Sequence, residues 1–162
     1  MVEKSLLKNH IHKSGLTFFF EAAGPGCTYV FKREVIQCFK DFLTKNREDV
    51  SCVALHDWII YAYCRTRGFK WHIDEIPLMY YRQHASNQVG INSGIAAFKK
   101  RFSLIKNDWY RSEVKKVINL LDRDGSSGFR FDRFFLIKNF FSLRRRPRDA
   151  FFLLLMVFFR VF

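Results

Sequence analysis

Residues 56–90 read HDWIIYAYCRTRGFKWHIDEIPLMYYRQHASNQVG. Much of the stretch is apolar and aromatic, as a buried core would be. Set into it are His56, Asp57, Arg82, Gln83, His84 and Asn87. Folding alone has little use for a carboxylate and two imidazoles beside so many large apolar residues. A positioned carboxylate can accept the proton of a hydroxyl, which is a poor nucleophile until something does so. Asp57 is the natural candidate, because it is expected at a helix N-terminus, where its anion is stabilised and its position fixed. The competing reading is that Asp57 only caps its helix; one Asp can serve both roles. Gly24, Gly26, Cys27 and Thr28 form the other conspicuous group, since glycines let a backbone approach a ligand closely. Nothing in the sequence identifies a base partner for Cys27, so it is no candidate nucleophile and reads otherwise as a small buried filler.

These groups need elements to hold them. Leu16 to Phe20 is an apolar run and reads as a strand, punctuated by Gly24, Pro25 and Gly26. Thr28 to Phe31 is again β-prone. Val35, Ile36, Phe39, Phe42 and Leu43 then recur at helical spacing, so 33–45 is predicted as an amphipathic helix. Residues 46–54 read as a loop. A helix is expected from near Asp57 to about Arg67, with Asp57 in its first turn, Arg65 and Arg67 in its last, and Gly68 as its stop. FKWHI and PLMYYRQH read as two short strands, followed by polar ASNQVGINSG. From Ile95 on the patterns are helical, with breaks near Asn107 and at DRDGSSG, and with Phe131, Phe134, Phe135 and Phe141 on one helical face. The organisation predicted is α/β over residues 1–92 and helical over 93–162.

The chain's 162 residues are 49% hydrophobic and 18% aromatic, ample for a packed core and against disorder. Its four cysteines, at 27, 38, 52 and 64, form no C-x-x-C motif, and reduced thiols in a cytoplasmic protein are the simpler expectation. The N-terminal MVEKSLLKNHIHKSG lacks the long apolar run of a signal peptide. Residues 94–162 carry 16 Lys and Arg against 6 Asp and Glu. That part of the chain therefore seeks an anionic partner, either nucleic acid or an acidic membrane surface. Arg144, Arg145, Arg146 and Arg148 immediately precede the apolar run 150–159. The run is short of the roughly 20 residues of a spanning helix. Basic then apolar suits a helix lying in the membrane interface, and the alternative is a helix docked on the protein's own core.

GPGCTYVFKREV, HDWIIYAYCRTRGFKWHIDEIPLMYYRQHASNQVG and the basic helical tail together resemble the C-terminal half of bacterial family 2 glycosyltransferases. The likeness is to the rhamnosyltransferase-like group that builds cell-surface polysaccharides. It covers roughly residues 16–160 and rests on order and spacing: a Gly-Cys-Thr strand, His-Asp-Trp, then Tyr-Arg-Gln-His. The resemblance implies an α/β fold, a partial GT-A-like (nucleotide-diphospho-sugar transferase) arrangement with a few strands, followed by a helical C-terminal region. Residues 1–92 would be the acceptor-side half of such a domain.

The implied reaction is an inverting sugar transfer from a nucleotide-sugar donor to a glycan or lipid-linked acceptor, with Asp57 as the base. A divalent metal would neutralise the leaving diphosphate. Hard oxygen ligands suit Mg²⁺ or Mn²⁺, and an imidazole is more acceptable to Mn²⁺. By resemblance His84 completes that metal and diphosphate site; otherwise it is an exposed loop histidine. Arg82 either contacts diphosphate oxygens through its fork of donors or makes a surface salt bridge. His56 orients the carboxylate or lines the site, and Trp58 packs beside the acceptor sugar or in the core. The loop of Gly26, Cys27 and Thr28 borders the donor and acceptor cleft. Asp122 and Asp124 match Asp-x-Asp literally, but they close a helical pattern and run into Gly125, Ser126 and Ser127, so they read as a turn. His10 and His12 have no further ligands near in sequence and read as a polar terminus.

The family's nucleotide-binding strands and its metal-holding Asp-x-Asp have no counterpart here, because about 15 residues cannot hold crossover units of roughly 30 each. The expectation is an acceptor-side half that needs a separate N-terminal half for its metal and donor. It would lie in the cytoplasm, peripheral on the inner face of the cell membrane. Two other classes compete. A non-catalytic basic membrane-surface module derived from such an enzyme fits the tail. A nucleic-acid binder fits the charge but lacks any helix-turn-helix, zinc-finger or aromatic ribonucleoprotein signature. The half-enzyme reading makes a prediction: the purified chain should bind no nucleotide sugar by itself. Calorimetry with a panel of nucleotide sugars and Mn²⁺ checks it, and metal-dependent micromolar binding would overturn it.

Overall fold

A computed structural model of the chain describes residues 15–74, 76, 108–160 and 162. Among these residues the elements are two 3₁₀ turns, Leu16–Phe19 and Gly26–Thr28, and six α-helices. The helices are α1 (Arg33–Lys45), α2 (Arg47–Ser51), α3 (His56–Thr66), α4 (Trp109–Leu121), α5 (Arg133–Leu143) and α6 (Pro147–Phe158). Helix α1 has the predicted bounds, and α2 occupies part of the predicted loop. Asp57 lies in the first turn of α3 and Arg65 in its last. Gly68, at φ +76, ends the helical path, with Phe69 N donating to Cys64 O at 2.9 Å. At the start of α5, Asp132 caps the helix by accepting from Phe135 N at 2.9 Å.

The α/β expectation is overturned: among the described residues there is no strand and no sheet, so the GT-A-like arrangement with a few strands does not hold for them. The reason is visible in the first apolar run. Phe18, Phe19 and Phe20 are all buried, and a 3₁₀ turn sends consecutive side chains in different directions. A half-buried strand would have turned alternate residues outward. With no neighbouring strand described, the backbone is satisfied locally and by side chains. Phe20 N and Glu21 N both donate to Thr17 O, at 2.9 and 3.0 Å. Trp58 Nε1 donates to Phe18 O at 2.9 Å, and Tyr110 Oη to Phe20 O at 2.7 Å.

The β-prone stretches 28–31 and 69–73 do lie together, but through rings instead of a ladder. Tyr29 meets Trp71 edge-on with centroids 4.9 Å apart, and Phe31 meets Trp71 at 5.7 Å. Tyr61 of α3 adds a third edge to the same indole, at 4.9 Å. The predicted strand PLMYYRQH and the break near Asn107 lie outside the described residues.

One core joins both parts of the chain. Phe18, Phe19, Phe20, Trp58 and Tyr61 pack with Val114, Val117, Leu136, Leu143 and Leu153. Residues on either side of position 92 therefore share their apolar burial, and α5 and α6 form a hairpin against the first 3₁₀ turn.

A polar clamp fixes that docking. Glu21 accepts from Arg145 N at 2.7 Å, from Arg145 Nε at 3.0 Å and from Arg144 Nη1 at 3.4 Å. Arg145 also donates through Nη1 to Ala23 O at 2.8 Å and through Nη2 to Ala22 O. Arg144 Nη1 reaches Phe20 O at 3.1 Å, and its guanidinium lies over the Tyr110 ring. Two arginines of the run read above as facing a membrane are thus turned inward, with side chains only 21% and 24% exposed. The clamp is dispensable only if its hydrogen bonds are easily replaced. Glu21→Gln removes the charge and keeps the shape, and it should lower stability in urea unfolding by about 2 kcal/mol. The control Glu34→Gln, exposed on α1, should stay within about 0.5 kcal/mol. Equal small losses for both would show that the clamp contributes little.

Candidate active site at the start of helix α3

Helix α3 begins at His56 with Leu55 at its N-cap position and no side-chain cap. Asp57 is the second helical residue. Its carboxylate lies beside the backbone N–H groups of the first turn. Asp57 Oδ1 accepts from Trp58 N at 2.9 Å, while Oδ2 has no hydrogen-bond partner among the described residues. The side chain is half-buried, beside an exposed His56. One carboxylate oxygen is therefore held by the backbone of the first turn.

The Gly24–Thr28 loop is brought to this helix start. A Cβ placed on Gly26 would sit 3.0 Å from Asp57 Cβ and 3.1 Å from His56 Nε2, so only glycine allows the approach without a shift. The loop is closed by Tyr29, whose hydroxyl donates to Gly24 O at 2.8 Å and accepts from Gly24 N at 3.1 Å. Thr28 Oγ1 donates to Pro25 O at 2.7 Å, tightening the 3₁₀ turn. Burial pushes the Tyr29 phenol well above its ordinary value. The Asp57 charge adds to the rise, against hydrogen bonds from Gly24 and Ala23 and the charge of Arg145. Tyr29 thus stays a neutral hydroxyl within the field of Asp57.

Of the residues predicted for the site, Gly26, His56 and Asp57 meet, and Thr28 lies in the same loop. Cys27 is an exposed free thiol on that loop. It is not the buried filler its size suggested. Trp58 is 2% exposed, hydrogen-bonded to Phe18 O and stacked on Tyr110 with centroids 6.1 Å apart, so its ring belongs to the core. Arg82 and His84 lie outside the described residues. Among the described residues no group of three or more His, Cys, Asp or Glu side chains could hold a metal ion. Asp122 and Asp124 accept from Ser126 and Ser127 and close the turn after α4.

Sequence reasoning missed the groups that place α3. Glu113, buried on α4, accepts from Ala54 N at 2.9 Å and from Lys116 Nζ at 2.6 Å, and Lys116 Nζ also donates to Cys52 O at 2.9 Å. Residues 52–54, which lead into α3, are held by this pair. A signal existed: Glu113, Val117 and Leu120 follow an i, i+4, i+7 stripe, which puts a carboxylate on a buried face. Glu21 and Tyr29 left no such pattern.

The close approach of the loop predicts the effect of filling it. Gly26→Ala should cost about 1–3 kcal/mol in urea unfolding, as overpacking does. It should also shift the His56 ring resonances in NMR spectra and leave those of His72 in place. Unmoved His56 resonances would mean that loop and helix start are not in contact.

No family model matches the chain, so its likeness to family 2 rests on the residues quoted above. No solved structure matches it either. Among curated proteins the chain is 41% identical, over 165 residues, to the dTDP-rhamnosyl transferase RfbG of Shigella flexneri. The alignment takes in 98% of this chain and 57% of that protein, so the chain spans a little over half the length of the relative it matches. Its similarity is thus to part of a glycosyltransferase.

Proposed function

We propose that this chain is the acceptor-side part of an inverting glycosyltransferase, in which Asp57 accepts the proton of the attacking acceptor hydroxyl. The observation that carries the reading is the 41% identity to a dTDP-rhamnosyl transferase over nearly the whole chain. The donor is a nucleoside-diphosphate sugar, of the kind named for that relative, and the acceptor is a glycan or a lipid-linked glycan. The placement of Asp57 supports the role assigned to it. The residue is half-buried in the first turn of α3, and one of its carboxylate oxygens accepts from Trp58 N. A Cβ on Gly26 would fall 3.0 Å from Asp57 Cβ, so an acceptor hydroxyl resting against the Gly24–Thr28 loop would stand beside this residue. His56 Nε2 lies at the same contact, 3.1 Å from a Cβ on Gly26, and the Tyr29 hydroxyl is committed to the loop. Proton acceptance by Oδ2 then makes the acceptor oxygen nucleophilic toward the anomeric carbon as the bond to the diphosphate breaks. In this reading the donor, and any metal that serves it, is assigned to residues outside the described ones.

Transfer is best measured in a chimera that joins this chain to the part of the Shigella protein it does not match. Asp57→Asn is nearly isosteric, so fold and donor binding should persist. Turnover should fall roughly 100-fold or more, the upper part of the usual range for a general base. Near-normal turnover by Asp57→Asn in an active chimera would reduce the carboxylate to a support of the first turn of α3.

A further inference from the structure

From Ala150 on, helix α6 is apolar on every side, yet only one side is buried. Ala150, Leu153, Met156 and Val157 enter the core. Phe151, Leu155, Phe158 and Phe159, spaced i, i+4, i+7 and i+8, are between 52% and 67% exposed. The stripe continues onto α5 through Phe141, itself 52% exposed, whose ring meets Phe151 at 5.3 Å. So many large rings on one face exceed the scattered apolar residues of an ordinary surface. Cations stand at both ends of the stripe. Arg146 and Arg148 are exposed where α6 begins, and Arg160 is exposed where it ends. Asp149 is the acid in that stretch, and it pairs with Arg148 at 3.5 Å.

Next to the stripe lies a cavity of about 310 Å³ lined by Arg111, Arg133 and Arg160 over Leu136, Val157 and Phe131. Arg111 Nε is buried with no hydrogen-bond partner among the described residues. Arg133 donates to Phe158 O at 2.7 Å and lies over the Phe158 ring, so the cavity and the aromatic stripe adjoin.

We infer that the exposed face of the α5–α6 hairpin docks on an anionic phospholipid bilayer, with the Phe151–Phe159 stripe entering the interface and the arginine-lined cavity taking a lipid phosphate. A second copy of the chain is the poorer occupant, because each copy carries a formal net charge of +13 and two such faces repel. No helix among the described residues is long and apolar enough to cross a membrane. At 12 residues α6 is about 18 Å long and would lie along the surface. The inference does not depend on the sugar-transfer reading, since it uses neither Asp57 nor its loop.

Sedimentation with vesicles of phosphatidylcholine alone, and with vesicles in which part is replaced by phosphatidylglycerol, tests it. The chain should bind the anionic vesicles, and added salt should weaken that binding. Arg146→Gln, Arg148→Gln and Arg160→Gln should each weaken it about fivefold. Phe151→Gln combined with Leu155→Gln should weaken it roughly tenfold or more, with the helix content by circular dichroism unchanged. Inorganic phosphate should compete no better than another salt of equal ionic strength; stronger competition would give the cavity to a soluble anion. Equal binding to both kinds of vesicle, or to neither, would overturn the proposal. So would a concentration-dependent dimer in sedimentation velocity that the Phe151/Leu155 variant abolishes, which would give the face to a second copy.

Discussion

The Glu21 carboxylate, caught between Arg144 and Arg145, is the interaction on which the rest of the arrangement depends. Residues 20–23 carry backbone carbonyls that no described strand satisfies. Guanidinium groups take the place of a sheet partner. Arg145 serves Glu21, Ala22 and Ala23 at once, and Arg144 serves Glu21 and Phe20. A lysine has no planar fork with which to make such a set, so the geometry belongs to arginine. Residues 20–23 lead directly into the Gly24–Thr28 loop, which meets the first turn of α3 at Gly26.

The other side of the site is fixed by different means. Glu113 and Lys116 on α4 hold residues 52–54, and the Trp58 indole ties α3 to the first 3₁₀ turn. Loop and helix start are thus anchored independently and meet at Gly26. The first turn of α3, with Asp57 in it, is thereby placed from two sides. The apolar core supplies adhesion without direction. Ionic and indole hydrogen bonds supply the register.

Where a segment's own side chains decided its conformation, the sequence was readable. The spacing of Val35, Ile36, Phe39, Phe42 and Leu43 marked α1, and Asp57 and Gly68 marked the ends of α3. Where conformation depends on distant partners, it was not. Three consecutive phenylalanines look alike in a buried strand and in a buried 3₁₀ turn, and what separates them is whether a neighbouring strand exists. The site divides the same way. His56, Asp57 and the glycine loop stood out because their residue types are unusual in apolar text. Glu21 and Arg145 did not, because their partners lie 124 positions apart.

The run Arg144–Arg148 shows how one stretch of sequence can hold two surfaces together. Composition makes its four arginines equivalent, and backbone geometry separates them. Leu143 ends α5 inside the core, and Arg144 follows in an extended conformation at φ −138 and ψ 142. Arg144 and Arg145 therefore face residues 20–23, whereas Arg146 is extended again and Pro147 starts α6 at its first position. Arg146 and Arg148 are left on the outside, at the head of the exposed aromatic stripe. Only a few residues separate the clamp that positions the loop beside Asp57 from the first cations of that stripe. Arg144 and Arg145 thus tie the turn before α6 to residues 20–23, which lead into the Gly24–Thr28 loop.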